Sequence, residues 1–463
     1  MHPYTVQFRG GIDATVLNPL VLAALLVAAI LLFALPRKFT VAPLILAAFL
    51  IPEGQQFYLA GIHLYVIRVL ILVAFVRGIT LQEAKTSHLA GGWNPIDTVV
   101  LLYVTVTATA TLLRTPGTPA LISQLGYIWD YGLGYLALRT LIRTKDYALL
   151  VVKCFAVLAV IFSITMLIER QTTVDVFALL KGVTDVPQWR NGKIRAHAVF
   201  QQPLTAGAFG ATLLPLYFLL WRDRFGRWLA GIAVIAATIM VLTTQTSTAD
   251  LVEAAAIFAI ALWPLRRKMK LIRTGIVVAV IALTLAMKAP IWFLIDHINL
   301  TGASSGYQRA ELINQCVIHF RSWWLIGTND ISGWGLDMWD VQNMYVSAAE
   351  FGGLAGLTLF ILVLSRSFGR LGKARIRSKT KRQQWTVWLL GCAVFANLVA
   401  YFGVNYFDQV YLAWYAVLSM IPAITVPIIE NSLLTRIKTT VHMSTPATKT
   451  HSVESRNPVV RPF

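Results

Sequence analysis

Charge is scarce in this chain, since only 13% of its 463 residues are Asp, Glu, Lys or Arg. Soluble globular domains carry about 25% charged residues. The hydrophobic fraction is 57% and the mean hydropathy is +0.66, and several apolar runs approach the roughly 20 residues that a membrane-spanning helix needs. The composition therefore excludes an ordinary soluble domain and predicts a polytopic integral membrane protein.

Cysteine and the common ligand motifs are also scarce. Cys154 and Cys392 lie in apolar runs and Cys316 lies in a polar loop, so no pair is placed to form an extracytoplasmic disulfide. The sequence contains no Walker A, zinc-type or EF-hand pattern and no evident Ser/His/Asp arrangement. We therefore expect no redox chemistry, no cofactor and no metal.

Alternation of polar and apolar residues, the signature of barrel strands, is missing from the apolar runs. Because lipid cannot satisfy free backbone groups, continuous apolar runs of this kind are helices. The predicted fold is all-α, with 12 or 13 transmembrane helices in one domain over residues 1–432. The candidate spans are 16–36, 39–52, 61–78, 97–113, 119–140, 147–168, 204–221, 228–245, 249–265, 271–292, 343–365, 385–403 and 409–430.

Acidic residues number 21 against 40 Lys and Arg, which gives a formal net charge of +19. Of the 40 basic residues, 28 fall in alternate short loops and the C-terminal tail, with Arg139, Arg143 and Lys145 as one such group. By the positive-inside rule these segments are cytoplasmic, which places the N-terminus outside and the C-terminus inside. This distribution explains the charge without nucleic acid. Residues 433–463 are predicted to be a disordered, basic cytoplasmic tail.

Two longer segments, 169–203 and 293–342, break the pattern of short loops, and both fall on the outer face of this topology. Long ordered loops usually have a function. The first segment carries a cluster of basic residues, which the positive-inside rule disfavours on an outer face. The second segment contains an amphipathic stretch that begins at Arg309. The cluster of the first segment consists of Arg190, Lys193 and Arg195.

Basic residues on an outer face suggest an anionic ligand. Arginine suits a diphosphate because its planar fork makes bidentate contacts and stays charged. The alternative is contact with lipid headgroups, which we favour for Lys181 and Arg170 near the membrane surface. For Arg195 and Arg309, each within a patterned segment, we favour the functional interpretation.

Arg68 lies inside a predicted span. A charged side chain within the membrane raises the free energy of the protein unless it is paired or lines a cavity. Two explanations of Arg68 remain open. It forms an ion pair with Asp130 inside the protein, or it belongs to a functional site.

The stretch DVQNMYVSAAEFGG places four polar residues directly before a run of small and apolar ones. In one interpretation Gln342, Asn343 and Tyr345 orient a sugar or diphosphate, and Asp340 is the nearest carboxylate that takes the acceptor's proton. Glutamine cannot act as the base, because its amide does not accept a proton as imidazole does. In the other interpretation the stretch is a helix start, capped by Asp340 or Asn343.

Four segments resemble the O-antigen ligase and polysaccharide polymerase superfamily of bacterial membrane glycosyltransferases, and the architecture is similar over nearly the whole chain. Residues 35–79 resemble the amino-terminal region of exopolysaccharide-type members. RAHAVFQQPLTAGAF, from Arg195, is similar to their Arg-x-x-(small)-x-Phe-x-x-Pro segment. RAELINQCVIHFRSWWLIGT, from Arg309, resembles their arginine-led loop helix and a Pro-Leu-Leu-Gly-like turn. The stretch at Asp340 resembles a His-Asn-x-Tyr motif.

Two hallmarks of the ligases are absent. Gln342 takes the position of the His, with Gly353 at the position of a following Gly. Where the ligases carry Arg-x-x-x-Leu in a short outer loop, this chain has STADL, from Ser247 to Leu251. The resemblance therefore supports the superfamily without fixing which of its activities this chain has.

The resemblance implies a substrate of sugar repeats on undecaprenyl diphosphate, handled without ATP at the outer face of the bacterial inner membrane. Arg195 and Arg309 would hold the diphosphate while an acceptor hydroxyl attacks the anomeric carbon with inversion. Membrane lipid and other polysaccharide assembly proteins are the implied partners. The further candidate substrate-binding residues are Arg190, Lys193, Asn343, Tyr345 and Arg68.

Three functions compete for this sequence. The first is a polymerase that joins lipid-linked repeat units into an exopolysaccharide or O-antigen-like chain. The second is a ligase that moves a finished glycan onto another acceptor, against which the two missing hallmarks count. The third is a lipid or sugar transporter, which predicts a polar path across the membrane and an inverted repeat.

Overall fold

A computed structural model describes residues 14–59, 61–80, 89–190, 192–221, 224–297, 306–335, 338 and 341–444. All thirteen apolar runs fold as helices there, and Asp340 lies outside the described residues. The first half of the chain contains α1 (Pro19–Ala34), α2 (Val41–Leu50), α3 (Val66–Thr80), α4 (Pro95–Arg114), α5 (Thr118–Tyr127), a π-helical segment (Ile128–Leu133), α6 (Gly134–Leu141), α7 (Lys145–Thr172) and α8 (Pro203–Tyr217).

The second half of the chain is helical as well. It contains α9 (Arg224–Thr244), α10 (Ser247–Ala261), α11 (Met269–Ala286), α12 (Gly306–Ile318), α13 (Phe320–Trp323), α14 (Met344–Arg377), α15 (Lys381–Ala400) and α16 (Val410–Ser444). Sheet in the described residues is limited to two antiparallel hairpins, β1 (Gln56–Leu59) with β2 (Ile62–Tyr65) and β3 (Trp189–Arg190) with β4 (Lys193–Ile194).

The chain is an all-α polytopic membrane protein. Among the described residues, seven helical stretches are long and apolar enough to cross a membrane. Others are shorter, such as α2 with 10 residues. Residues 118–141 form one continuous helical stretch made of α5, the π-helical segment and α6. The last helix runs to Ser444, so it includes the first part of the predicted tail 433–463.

Helix starts follow local capping chemistry. Asn94 and Asp97 form a capping box at the start of α4, where Pro95 occupies the first helical position. Thr380 and Gln383 form a second capping box at the start of α15. These boxes satisfy the amide groups that a helix leaves without partners in its first turn.

Successive spans alternate in direction and divide the connecting segments between two ends of the helix bundle. The described residues of the loop end are 51–59, 61–65, 115–117, 173–190, 192–202, 245–246, 287–297, 306–335, 338, 341–343 and 401–409. The basic end comprises segments 35–40, 89–94, 142–144, 262–268 and 378–380. Contacts within each end agree with this division: the Gly54 amide donates to Gly182 O (3.0 Å) at the loop end, and Arg375 donates to Arg266 O at the basic end.

Helix α8 lies at the centre of the bundle, since every residue from Pro203 to Tyr217 is buried. Its small residues permit close packing. A Cβ on Gly207 would stand 2.6 Å from Cβ of Ala249, and one on Gly210 would stand 3.0 Å from Ala237 O. By contrast, α11 has no buried residue, so its apolar surface is available to lipid.

Helix α14 is interrupted at Gly353, whose φ of 63° and ψ of −162° are accessible to glycine alone. Ala348 O lies 2.8 Å from where a Cβ on Gly356 would stand, and the rings of Tyr345 and Phe360 are 5.6 Å apart. In a straight helix, Ala348 and Gly356 would be separated by about 12 Å. The chain therefore reverses at Gly353, and segment 344–352 folds back against segment 354–377.

Backbone groups freed by this reversal are satisfied by the preceding loop. The Leu354 amide donates to Trp324 O (2.8 Å), and the Thr328 amide donates to Glu350 O (2.8 Å). Arg114 of α4 donates from Nη1 to the same Glu350 carbonyl (2.6 Å). Interrupted helices at membrane depth are tolerated where neighbours supply such partners.

Candidate functional site

The loop between α7 and α8 is anchored by Glu169, a buried carboxylate in the last turn of α7. Glu169 Oε2 accepts from the amides of His197 (3.1 Å) and Ala198 (3.0 Å). The His197 ring lies between this carboxylate and that of Asp175, at 3.7 and 4.0 Å. Burial lowers the pKa of His197 and raises the pKa of Asp175 to about 6. This anchor fixes the backbone beside Arg195.

Sequence reasoning did not single out Glu169 and His197 as a pair. An acidic residue at the end of a long apolar run, followed by a lone histidine in the next loop, was the available signal. Nothing in the spacing of the two residues indicates that they meet, because 28 positions separate them in the chain.

The basic cluster of this loop lies in and directly after the β3–β4 hairpin. Arg190 and Lys193 are partners in the β3–β4 hairpin, and the Arg195 amide closes it by donating to Gln188 O (2.9 Å). Burial, together with the positive charge of Arg190, lowers the pKa of Arg195 to about 10. The three basic side chains therefore share one surface.

Arg195 contacts the turn between α9 and α10. Its Nε donates to Thr244 O (3.3 Å), and the next amide, that of Ala196, donates to Thr243 O (3.1 Å). Residues 243–248, TTQTST, form this turn, which we call the hydroxyl turn because five of its residues carry hydroxyl groups. The turn leads into α10, whose N-cap Thr246 makes no side-chain capping bond. Helix N-termini of this kind favour anions.

Arg309, in the first turn of α12, reaches the other side of the hydroxyl turn. Its Nε lies 3.0 Å from the point where a Cβ on Gly403 would stand, and Thr248 Oγ1 lies 2.7 Å from the same point. Arg309 and Thr248 are therefore close neighbours. We call Arg195, Arg309 and residues 243–248 the arginine site.

The polar stretch before α14 caps this helix. Asn343 is fully buried, and its Oδ1 accepts from the amides of Tyr345 (3.0 Å) and Val346 (3.1 Å). Its Nδ2 donates to Phe402 O (3.2 Å). The helix-start interpretation is thus confirmed for Asn343. Gln342 is half-buried directly before the cap.

Tyr345 also has partners within the protein. Its hydroxyl donates to Leu398 O (3.0 Å), and its ring packs 4.7 Å from that of Phe402. These contacts give Asn343 and Tyr345 structural roles. Their predicted contact with substrate stays a prediction.

A cavity of about 670 Å³ lies beside the arginine site, between α3, α4, α5, α14 and α16. Its walls include His63 of the β1–β2 hairpin and Asn405 of the loop before α16, which places it at the loop end. We call it the tyrosine cavity because eight of the 15 tyrosines line it. These are Tyr65, Tyr103, Tyr127, Tyr131, Tyr401, Tyr406, Tyr411 and Tyr415.

Arg68 lies in the wall of this cavity. Its Nε and Nη2 donate to the two carboxylate oxygens of Asp130, both at 2.9 Å. Asp130 belongs to the π-helical segment, a feature that is frequent at functional sites. The predicted pair with Asp130 is therefore confirmed, whereas a role of Arg68 in a functional site stays a prediction.

The segment 401–407 separates the cavity from the arginine site. Tyr401 faces the cavity, whereas Gly403 packs against Arg309 and Thr248. Further along, Asn405 Nδ2 donates to Ser347 Oγ (3.1 Å) within the cavity wall.

Comparison with known proteins adds no assignment: no protein-family model matches the chain, and no curated protein matches it. In the part of the chain that the structure describes, no group of three or more His, Cys, Asp or Glu side chains could hold a metal ion. The functional argument therefore rests on the arginine site and the tyrosine cavity.

Proposed function

We propose that the protein is a membrane glycosyltransferase, specifically a polymerase that joins undecaprenyl-diphosphate-linked repeat units into an exopolysaccharide or O-antigen-like chain. The observation that carries the proposal is the convergence of Arg195 and Arg309 on the hydroxyl turn, where Arg195 donates to Thr244 O at the end of α9 and Arg309 neighbours Thr248 at the start of α10. The same two arginines lead the segments that resemble the polymerase and ligase superfamily.

In this reaction the donor is already activated. The bond from the anomeric carbon to the diphosphate oxygen breaks, and its electron pair stays on the diphosphate. The acceptor hydroxyl forms the new bond to that carbon and gives up its proton, for which Asp340 is the predicted base. Two guanidinium groups and a helix N-terminus stabilise the charge that develops on the departing diphosphate. The hydroxyl groups of the turn add neutral donors.

The proposed location is the bacterial inner membrane, with the loop end facing outward and the C-terminus in the cytoplasm. This orientation is supported by the positive-inside rule, because the clustered Lys and Arg residues belong to the basic end. Membrane lipid and other polysaccharide assembly proteins are the proposed partners.

The lipid-linked glycans of a deletion strain test the activity. Accumulation of single repeat units is the result expected for a polymerase. Accumulation of long lipid-linked chains would instead identify a ligase. An unchanged profile would count against both, and would leave transport as the function to test.

Substitution of the two arginines tests the site. Arg195→Ala and Arg309→Ala should each abolish chain growth while the amount of protein in the membrane stays near normal. Arg309→Lys should also be poor, because a point charge does not reproduce a bidentate fork. Arg170→Ala is the matched control, since Arg170 is a half-buried arginine at the same end and donates to Leu242 O (3.3 Å). Normal polymer lengths in the Arg195 and Arg309 variants would assign both residues to packing or lipid headgroups.

A further inference from the structure

A recess of about 550 Å³ lies at the basic end of the bundle, opposite the arginine site. It is bounded by the turn Arg37–Phe39 and by the starts of α7, α9 and α15. We call it the basic recess, because three of the side chains that line it are Lys38, Lys153 and Arg382. All three residues are exposed, so a ligand in the recess can reach them.

The charge of the recess is positive. Among the described residues of its wall, Asp146 is the one acid, which leaves a formal charge of +2 against the three basic side chains. In the described part of the chain, none of the three cations forms an ion pair, with Asp146 or with any other carboxylate. The recess therefore favours an anionic ligand over an uncharged one.

Lys153 extends this charge below the rim of the bundle. It stands eight residues beyond Lys145, the first residue of α7, which corresponds to about 12 Å along the helix axis. A charged residue at such a position within a span is rare and usually serves a function. Because a lysine extends its ammonium group towards the headgroups while its stem stays among the chains, Lys153 stands where the two parts of a lipid meet.

An apolar stripe follows Lys153 along α7 towards the loop end. Val157, Ile164 and Ile168 are 44%, 53% and 41% exposed. Their spacing places them on the same face of the helix as Lys153. A free phosphate ion would contact only the basic side chains, whereas a phospholipid would contact both these side chains and the stripe. The combination therefore favours a lipid.

We propose that the basic recess binds the headgroup of an acidic phospholipid, whose acyl chains lie along the apolar stripe of α7. Basic pockets between transmembrane helices bind such headgroups in other membrane proteins. The volume of about 550 Å³ lies within the range of small-ligand pockets, roughly 300–1,000 Å³. The net positive charge of the wall selects an acidic lipid over a zwitterionic one. Asp146 opposes the phosphate and lowers the affinity that the cations provide.

Native mass spectrometry of the full chain in dodecyl maltoside tests the recess. Dioleoyl phosphatidylglycerol is the probe, and it should bind more tightly than dioleoyl phosphatidylcholine. Lys153→Gln and Arg382→Gln should each weaken its binding about fivefold, the contribution of one basic residue next to an anionic lipid. Lys373→Gln is the matched control and should leave binding unchanged, because Lys373 is exposed at the same end outside the recess wall. Equal binding of the two lipids, or equal losses in Lys153→Gln and Lys373→Gln, would overturn the proposal.

A substitution of Asp146 should act in the opposite direction. Asp146→Asn removes the negative charge from the wall and should strengthen the binding of phosphatidylglycerol, while the Tm measured without lipid stays unchanged. Loss of fold or of packing would not increase affinity, so a gain here is specific to a charged ligand in this recess. Unchanged or weaker binding in Asp146→Asn would overturn the assignment of the lipid to this wall.

Inorganic phosphate distinguishes a lipid from a free anion. Added at constant ionic strength, it should not displace the bound phosphatidylglycerol, because it makes no contact with the apolar stripe. Displacement by phosphate would overturn the commitment to a lipid. These results do not depend on the proposed polymerase activity, since the recess and the arginine site lie at opposite ends of the bundle.

Discussion

Two buried arginine–aspartate pairs, one towards each end of the bundle, have the same chemistry and different surroundings. At the basic end, Arg139 and Asp97 are both 0% exposed and 2.9 Å apart. At the loop end, Arg68 and Asp130 are also 2.9 Å apart, but their side chains are 14% and 6% exposed in the wall of a cavity. Distance alone therefore does not distinguish a structural pair from one that borders a site.

The partners of each pair explain the difference. Asp97 also accepts from the Tyr135 hydroxyl (2.5 Å), and Arg139 Nη2 donates to Ala90 O (2.9 Å) and Gly92 O (3.1 Å). The enclosed pair thus ties the segment before α4 to α6. Arg139 therefore does not belong with the exposed basic loop in which the sequence count placed it. In α6 its guanidinium faces the protein interior, where the positive-inside rule carries no information.

The largest expected effect is that of breaking the enclosed pair. Arg139→Ala leaves the Asp97 carboxylate buried without its cation, which should cost about 3–5 kcal/mol of folding free energy. We expect little folded protein in the membrane and a strongly lowered Tm in detergent. Arg227→Ala, at an exposed arginine of the same end, should change stability by less than about 0.5 kcal/mol. Equal behaviour of the two variants would show that the pair contributes nothing.

The reversal of α14 at the loop end should be the next most sensitive feature. Gly353→Ala forces a Cβ into a backbone conformation with φ of 63°, at 2.7 Å from Leu325 O, and should cost on the order of 2–3 kcal/mol. Gly372→Ala in the same helix is the control, because a Cβ there meets nothing within 4 Å. Thermal unfolding in detergent separates the two, and equal Tm values would remove the argument for a rigid reversal.

Breaking the loop-end pair should affect stability less and glycan output more. Arg68→Ala leaves Asp130 beside a cavity that admits water, so we expect a loss on the order of 1–3 kcal/mol, below that of Arg139→Ala. The double variant Arg68→Ala with Asp130→Ala should regain part of the stability without regaining polymer yield. If Arg68→Ala unfolds the protein as completely as Arg139→Ala, the distinction between the two pairs is lost.

The smallest expected stability effects concern the polar stretch before α14. Asn343→Ala removes a buried helix cap and should cost about 1–2 kcal/mol, visible as a lower Tm. Gln342→Ala should change stability little and lower polymer yield, if the side chain orients the substrate. Measuring yield and Tm together decides between the two roles. Parallel losses in Gln342→Ala would assign this residue to the helix start as well.

The helices and their caps could be predicted from the sequence, whereas contacts between elements that are far apart in the sequence could not. Apolar runs gave all thirteen helices, because in lipid a backbone can satisfy itself only within a helix. The Asn343 cap and the helix led by Arg309 also follow from neighbouring residues. The tyrosine cavity did not, because its walls come from five helices, the π-helical segment and two connecting segments. The reversal at Gly353 was also hidden, since the apolar pattern continues on both sides of it.

The π-helical segment Ile128–Leu133 determines how far the side chains of α6 are rotated about the helix axis relative to those of α5. Its wider turn, closed by the Gly134 amide donating to Trp129 O, adds one residue to the ordinary helical repeat. Removing one residue from it would restore an α-helix and rotate everything beyond by about 100° relative to what precedes. Asp130 and Arg139 stand within and after this segment, so they could not then both face their partners. A one-residue deletion here would therefore uncouple the enclosed pair from the one beside the cavity.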